Sequence, residues 1–224
     1  MKILAIDTSS MISTVTISED KKIIGDFNVN QKKTHSESLV PMIETLLSLL
    51  GMSINDIDIF AIAKGPGSFT GLRIGMTIAK TLAQVENKKI IPISTLFALS
   101  RNIYSDKIVV PLMDARGNRV YAAAFLGYEK KNIVKEDLYN INDFAETINK
   151  IDGEKILVGE ISSEYLNLFK NAKLAGMSFD NCIGKSLVEI ANERKDEENE
   201  IFSISPNYLR KSQAQRDLEN KKSV

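Results

Sequence analysis

The residues best placed to do chemistry in this sequence lie between positions 64 and 86, where Gly65-Pro66-Gly67 ends an apolar run and a helix-forming segment follows. A loop of this kind can bind an anion, because unpaired N–H groups meet at a helix N-terminus and the helix dipole is positive there. The spacing fits neither the Walker pattern nor the dinucleotide fingerprint. Two interpretations therefore remain, a phosphate-binding loop and a tight structural turn.

Histidine and cysteine each occur once, as His35 and Cys182. A zinc site made of these residue types needs three or four ligands, and a Ser-His-Asp triad would have to use His35. We interpret His35 as an exposed or capping residue at a helix start and Cys182 as a buried packing residue. A single cysteine excludes an internal disulfide and fits a reducing compartment. The sequence accordingly predicts no catalytic residue, no metal site and no cofactor.

The composition is that of a globular protein, with 43% hydrophobic and 26% charged residues, the latter divided into 29 basic and 29 acidic side chains. This balance lacks the basic excess typical of nucleic-acid-binding domains, so any contact with nucleic acid is predicted to run through a partner. No apolar run approaches the roughly 20 residues that span a bilayer, and the N-terminus lacks the pattern of a signal peptide. We therefore expect a cytoplasmic location and no membrane contact.

The first element that must position these residues is a helix within residues 34–52, which Gly51 ends. It begins either at Thr34, which forms a capping box with Glu37, or later, with Ser38 as the cap. Its apolar residues fall in two neighbouring stripes, Val40, Ile43, Leu47 and Leu50 in one and Leu39, Met42, Leu46 and Leu49 in the other. Because a helix that is apolar over most of its circumference must be covered on two sides, the pattern predicts a contact surface besides its own sheet.

A second helix, over residues 70–85, is predicted to follow the glycine-rich loop with Ser68 or Thr70 as its cap. It carries a row of small residues at four-residue spacing, Gly71, Gly75, Ala79 and Ala83. Each helical glycine costs roughly 1 kcal/mol relative to alanine, so the row predicts close approach of another backbone. We predict that the two helices lie together on one sheet face and present a surface to another protein. Coverage by a second domain of the same chain is the alternative.

A pattern of strand, polar turn and returning strand occurs twice. Residues 2–6, 13–18 and 23–29 form the first occurrence; residues 107–113 and 119–126 form the second, with Asp114 at the position that Asp7 holds in the first. The sequence thus predicts an α/β fold of two lobes, each with a mixed sheet flanked by helices. The predicted divisions are an N-terminal lobe (1–103), a C-terminal lobe (104–205) and a tail (206–224) that returns toward the N-terminal lobe. Further helices are predicted over 95–102, 142–150, 162–171 and 183–194, and strands over 90–93 and 155–159.

The opening strand, its acidic turn and the hairpin after it are similar to the actin, Hsp70 and sugar-kinase (ASKHA) superfamily. In that superfamily the first acidic turn faces the nucleotide phosphates and the metal, and Asp7, Thr8 and Ser9 match this turn. The resemblance implies a vestigial nucleotide-binding role for these three residues. The alternative is that Asp7 and Thr8 only close the turn through hydrogen bonds to their own backbone.

A closer resemblance rests on four segments, MKILAIDTS at 1–9, GPGSFTGLRIG at 65–75, DARGNRVY at 114–121 and PNYLR at 206–210. They are similar to the TsaB (YeaZ) family, a subunit of the bacterial machinery that forms threonylcarbamoyladenosine in tRNA, and they span the chain. In that family the helix pair of the first domain joins the paralogue TsaD, and it forms homodimers when TsaD is absent. The residues that the resemblance predicts to bind a partner are Leu39, Met42, Leu46, Leu49, Gly71, Ile74, Gly75 and Ile78.

The resemblance also implies a missing activity. The catalytic paralogue TsaD holds its metal with a His-x-x-x-His pair on the corresponding helix, where this sequence reads HSESL, with Leu39 in place of the second histidine. The implied role is a non-catalytic scaffold that binds and activates TsaD, helps recruit the ATPase TsaE, and meets tRNA only through the complex. Two alternatives stay open: an ATP- and magnesium-dependent phosphotransferase that uses Asp7 and Asp114, and a stand-alone homodimer.

Overall fold

The first of two five-stranded sheets is formed by the N-terminal part of the chain. The computed structural model describes residues 1–30, 34–176 and 183–209, so Cys182 and the basic residues after position 209 lie outside the described residues. The strands of this sheet are β1 (Lys2–Asp7), β2 (Ile12–Glu19), β3 (Lys22–Asn30), β4 (Ile59–Ala63) and β5 (Lys89–Ile93), in the order β3-β2-β1-β4-β5. β1, β2 and β3 pair antiparallel, whereas β4 and β5 run parallel to β1. Every residue of β4 is buried, as expected for a central parallel strand with helices on both faces.

The second sheet repeats this arrangement. Its strands are β6 (Ile108–Asp114), β7 (Arg119–Leu126), β8 (Lys131–Asn140), β9 (Lys155–Val158) and β10 (Ala172–Leu174), in the order β10-β9-β6-β7-β8. The first three pair antiparallel, and β9 and β10 run parallel to β6. The two sheets therefore share one topology, which confirms the predicted fold class of two mixed sheets flanked by helices. Asp7 and Asp114 each end the first strand of their sheet.

The helices are α1 (His35–Leu49), α2 (Phe69–Val85), α3 (Thr95–Arg101), α4 (Ile141–Asn149), α5 (Ser162–Tyr165) and α6 (Gly184–Glu193). α1 and α2 pack side by side on the outer face of the first sheet, and α6 covers its other face. α3 packs on the inner face of the second sheet and against α6, while α4 and α5 cover the outer face. A central core therefore lies between the sheets, around α3 and α6.

The predicted division at residues 103 and 104 separates the strands of the two sheets, but two helices cross it. α3, from the first part of the chain, packs on β6 and β7, and α6, from the second part, packs on β1, β2 and β4. The chain also returns to the first sheet near its end, where Asn207 N donates a hydrogen bond to Lys64 O at 2.6 Å. Each lobe is thus covered in part by the other half of the sequence.

Two elements differ from the sequence prediction. β8 was not predicted, because this edge strand is mostly half-exposed and includes several charged residues, so it lacks a clean apolar alternation. The helix predicted over 162–171 ends at Tyr165 and gives way to a 3-10 turn, Leu166–Leu168, and then to β10. The side chain of Asn149 holds the segment that leads into β10, because it donates to Leu168 O at 2.8 Å and accepts from Lys170 N at 2.7 Å.

Across the described residues, no helix combines the length and the apolarity that crossing a bilayer requires.

Candidate functional site

The glycine-rich loop before α2 is fastened to two neighbouring elements. Ser68 N donates to Ser9 O at 2.7 Å, and Thr95 N donates to Gly65 O at 3.0 Å. Ser68 Oγ caps α2 by accepting from Gly71 N at 3.3 Å. Two of the N–H groups that an anion would need are therefore already bonded within the chain. This geometry favours the tight structural turn over the phosphate-binding loop.

The small-residue row of α2 faces inward, against the turn that follows β1. A β-carbon at Gly71 would lie 2.0 Å from the carbonyl oxygen of Thr8, and one at Gly75 would lie 2.3 Å from Thr8 Oγ1. Thr8 Oγ1 also donates to Gly71 O at 2.7 Å. The close backbone approach that the row predicts is thus an approach to β1 of the same chain. Gly71 and Gly75, predicted as partner contacts, instead contact Thr8.

α1 buries most of both its apolar stripes within the chain. Leu39, Met42 and Leu46, predicted as partner contacts, are 0%, 8% and 3% exposed in the core that α1 and α2 share with the first sheet. α1 contacts β2 and β3 of that sheet as well as α2, and these elements together cover the two stripes. The second cover predicted for α1 therefore comes from the chain itself, and these three residues offer a partner almost no surface.

A remaining apolar surface, here called the outer helical surface, consists of Leu49, Ile74, Ile78 and Val85. Leu49 and Val85 are 71% and 74% exposed, and Ile74 and Ile78 are half-buried. The two helices start next to each other, because His35 at the start of α1 lies beside Gly71 near the start of α2. The segments that follow the two helices are also close, because Lys88 Nζ donates to Asn55 O at 3.3 Å. The two helices therefore run in the same direction and bring Leu49 and Val85 to the same end of the surface.

His35 ties the start of α1 to the turn after β1. Its Nε2 lies 3.0 Å from Ser10 O, and its Nδ1 lies 2.7 Å from Ser13 Oγ. Because a carbonyl oxygen can only accept, Nε2 carries a proton and donates it to Ser10 O, while Nδ1 shares a hydrogen bond with the Ser13 hydroxyl. The half-buried ring is a structural link, in contrast to the exposed or capping role expected from the sequence.

Asp7 is buried at the end of β1, and its carboxylate closes the turn. Its Oδ1 accepts from Ser9 N at 2.8 Å, and only 2% of the residue is exposed. Burial raises the pKa of this carboxyl to about 6, although the hydrogen bonds from Ser9 and Thr8 oppose the shift. A cavity of about 20 Å³ beside it, lined also by Thr95 and Glu160, has room for one water molecule.

The pKa of Asp7 should make the stability of the protein depend on pH. The pKa of Asp7 in the folded protein lies above its unfolded value, so folding favours the protonated carboxyl. This contribution to the stability of the fold is complete below about pH 4 and is lost as the pH rises through 6. A rise of roughly two pKa units corresponds to about 3 kcal/mol. About a third of this is already lost at pH 4.5, so we expect Asp7→Asn to raise the free energy of unfolding at pH 8, relative to its effect at pH 4.5, by about 2 kcal/mol.

Urea unfolding of both proteins from pH 4.5 to pH 8 measures this difference. The matched control is Asp114→Asn, which removes the exposed carboxylate at the equivalent position of the second sheet. A constant difference between Asp7→Asn and the wild type across this pH range would contradict the prediction.

A cleft of about 510 Å³ opens between the lobes above this turn. The residues that line it include Ser9, Ser68 and Thr70 on one side, Asp114, Arg116 and Glu160 on the other, and Phe69 and Tyr208 at its edge. Asp114 Oδ1 accepts from Arg116 N at 2.6 Å, which repeats the turn geometry of Asp7. Burial and the negative charges of Asp114 and Glu164 raise the pKa of Glu160. Within the described ranges, no three His, Cys, Asp or Glu side chains converge on a metal site.

Sequence reasoning missed a contact between α2 and the end of the described chain. The ring of Tyr208 lies 4.7 Å from that of Phe69, and Arg73 Nε donates to Tyr208 Oη at 2.9 Å. The guanidinium of Arg73 also lies 4.1 Å from the centre of the Phe69 ring. Because 135 residues separate Arg73 from Tyr208, no local sequence signal could have indicated this contact.

The amino-acid sequence is similar to proteins named for threonylcarbamoyladenosine formation in tRNA. A family model described as TsaD, tRNA N6-adenosine threonylcarbamoyltransferase, matches residues 22–218. The tRNA threonylcarbamoyladenosine biosynthesis protein TsaB of Bacillus subtilis (strain 168) is 29% identical over 96% of each chain. The protein of the same name from Escherichia coli (strain K12) is 31% identical over 71% of each chain.

Solved structures share the fold. A Pseudomonas aeruginosa protein described as similar to peptidase YEAZ superposes with a TM-score of 0.81 at 22% identity, covering 93% of this chain and 99% of that one. A ROK family protein from Streptococcus pneumoniae TIGR4 superposes with a TM-score of 0.50 at 10% identity, covering 88% of this chain and 100% of that one. Together with the repeated sheet topology, these similarities confirm the predicted ASKHA fold.

Proposed function

Since the chain belongs to the TsaB (YeaZ) family, we propose that it acts in the formation of threonylcarbamoyladenosine in tRNA as a non-catalytic scaffold subunit that binds TsaD. The observation that carries the proposal is the outer helical surface. Leu49 and Val85 are each the last residue of a helix, and both are more than 70% exposed. We propose that TsaD covers this surface.

The residue types at these two helix ends support a binding role. Basic side chains are favourable in the last turn of a helix, where they complement the negative end of the helix dipole. Neither α1 nor α2 has a basic residue in its last turn, and each ends in an exposed aliphatic side chain instead. Full burial of one such side chain is favourable by about 1.5 to 3 kcal/mol, and a partner that covers both side chains would gain this free energy on binding.

The same surface accounts for two competing assemblies. Two copies of the chain can pair through it around a two-fold axis, and TsaD can replace one copy. The difference between the two affinities then decides which assembly forms. We propose that the heterodimer holds TsaD in its active arrangement, helps to recruit TsaE, and contacts tRNA only as a complex. The balance of 29 basic and 29 acidic residues is consistent with this indirect contact.

Several side chains support a non-catalytic role. Leu39 occupies the position of the second metal-binding histidine expected in the paralogue, and it is fully buried in the core. His35 is bonded through both ring nitrogens, and the Asp7 carboxylate is bonded to its own turn beneath the cleft. The candidates for acid–base chemistry at the first turn are thus already used to hold the structure.

One observation favours a second candidate, the ATP- and magnesium-dependent phosphotransferase. The interlobe cleft of about 510 Å³ brings Asp114 and Glu160 opposite the N-terminus of α2, where a phosphate could bind. This candidate predicts that the isolated chain binds ATP with magnesium, whereas the scaffold proposal does not require it.

Light scattering on the chain alone and mixed with TsaD from the same organism tests the proposal. We expect a one-to-one heterodimer to replace the free species as TsaD is added. Calorimetric titration of the isolated chain with ATP and magnesium is the companion measurement. Free chain that persists beside TsaD, together with ATP binding, would overturn the scaffold role in favour of the phosphotransferase.

A further inference from the structure

The end of the described chain forms a strap along α2. Residues 201–208, here called the C-terminal strap, begin with a 3-10 turn, Ile201–Ser203, that contacts α2. Lys80 Nζ, on α2, donates to Ile204 O at 2.9 Å and to Phe202 O at 3.5 Å. The other end of the strap lies against the start of α2, through Tyr208. The strap therefore runs antiparallel to α2 and is fixed at both ends.

Phe202 points away from this attachment. Its neighbours Ile201 and Ile204 pack into the core beneath α1 and α2, whereas Phe202 is 73% exposed. The turn that presents it is well fixed, because both Ser203 N, at 3.0 Å, and Ser203 Oγ, at 2.8 Å, donate to Glu200 O. An exposed aromatic side chain on a pre-ordered backbone is the kind of residue that contributes most to protein–protein affinity, since little ordering entropy is lost on binding.

Phe202 and the outer helical surface lie on opposite flanks of α2. At 100° per residue, Lys80 and Arg73 lie on the flank of α2 that faces the strap, and Ile74, Ile78 and Val85 lie on the flank toward α1. The exposed strip between these flanks includes three uncharged residues, Thr70, Thr77 and Thr81. Hydroxyl groups cost far less to remove from water than charges, so one partner can cover the strip and reach both flanks.

We propose that the C-terminal strap belongs to the TsaD-binding surface, with Phe202 as an anchor residue and Lys80 as the residue that positions it. This inference rests on the proposed function, because it extends the same surface to the other side of α2. The surface then has three components that lie side by side, with α2 between α1 and the antiparallel strap. Of these, only the strap comes from the C-terminal part of the sequence.

Calorimetric titration of TsaD with purified variants tests this inference. Phe202→Ala should weaken the association with TsaD about tenfold or more, as expected for loss of an aromatic anchor. Lys80→Met, which releases the two strap carbonyls, should weaken it by a smaller factor. The matched control is Tyr104→Ala, which removes another exposed aromatic ring, 88% exposed and in tilted contact with the Tyr128 ring, near the second sheet. It should bind TsaD like the wild type.

The outcomes separate this inference from the proposed function. If the wild type binds TsaD, and Phe202→Ala binds as tightly as the wild type and Tyr104→Ala, the strap is not part of the surface and the inference is wrong. If the wild type itself does not bind TsaD, the proposed function fails and the inference fails with it. Unfolding curves of all variants should match that of the wild type, because each substituted side chain contributes little to the core.

Discussion

Gly71→Ala is expected to destabilise the protein by about 3 kcal/mol or more, a large part of the 5 to 15 kcal/mol that holds a typical domain folded. The new β-carbon would lie 2.0 Å from the Thr8 carbonyl oxygen and 3.2 Å from its carbonyl carbon. Backbone atoms of a buried strand end cannot move aside cheaply, so α2 has to shift away from the sheet. The gain in helix propensity, about 1 kcal/mol, does not offset this clash. Urea unfolding followed by circular dichroism measures the effect.

A double-mutant cycle can show that the clash is the cause. At Gly75 the nearest atom to a new β-carbon is a side-chain oxygen, Thr8 Oγ1, at 2.3 Å. Adding Thr8→Ala should therefore recover part of the stability lost in Gly75→Ala, but it should recover none of the loss in Gly71→Ala. Thr77→Ala, at an exposed position of the same helix, is the control and should stay within about 0.5 kcal/mol of the wild type. A Gly71→Ala protein as stable as this control would refute the packing argument.

Leu49→Lys should weaken the association with TsaD at least about 100-fold, because the interface would have to remove an unpaired ammonium group from water. The substitution is designed to leave the free chain intact. Leu49 is 71% exposed, and a basic residue at a helix C-terminus is favourable by about 0.3 to 1 kcal/mol. Val85→Lys makes the same change at the end of α2. Light scattering and calorimetric titration with TsaD measure the loss.

The control for both variants is Leu174→Lys, which places a charge on a 40% exposed leucine of β10, in the second sheet. It should bind TsaD like the wild type. Met42→Glu would be unsuitable, because Met42 points from α1 into the core and a charge there would unfold the lobe instead of testing the surface. Wild-type affinity in both Leu49→Lys and Val85→Lys would mean that TsaD binds elsewhere.

Local signals in the sequence were sufficient for most elements. Capping residues mark the helix starts. Thr34 N donates to Glu37 Oε2 at 3.0 Å, Ser68 Oγ accepts from Gly71 N at 3.3 Å, and each of these residues is one of the two caps predicted for its helix. The repeated strand pattern, with Asp7 and Asp114 at equivalent ends, predicts two related lobes. Capping and strand alternation depend on neighbours within a few residues, so they can be read without knowing the fold.

The tertiary structure alone decided which residues face solvent. The sequence marks both apolar stripes of α1 and the glycines of α2 as surfaces that need a cover, but it does not say what covers them. In the structure Leu39, Met42 and Leu46 meet the chain's own sheet and α2, while Gly71 and Gly75 meet Thr8. An apolar side chain has the same transfer free energy whether its cover comes from its own chain or from a partner, so periodicity cannot distinguish the two.

The same limit applies to contacts between distant parts of the chain. Three contacts join segments that are more than 100 residues apart in the sequence: α6 packs on β1 of the first sheet, Tyr208 contacts Phe69, and Lys80 binds the strap. Such contacts depend on how complete layers pack, and they leave no periodic trace in either segment. The sequence by itself therefore determined most of the elements, their order and the family. Only the folded chain decided that the exposed apolar surface of α1 and α2 narrows to Leu49, Ile74, Ile78 and Val85, with Phe202 on the other side of α2.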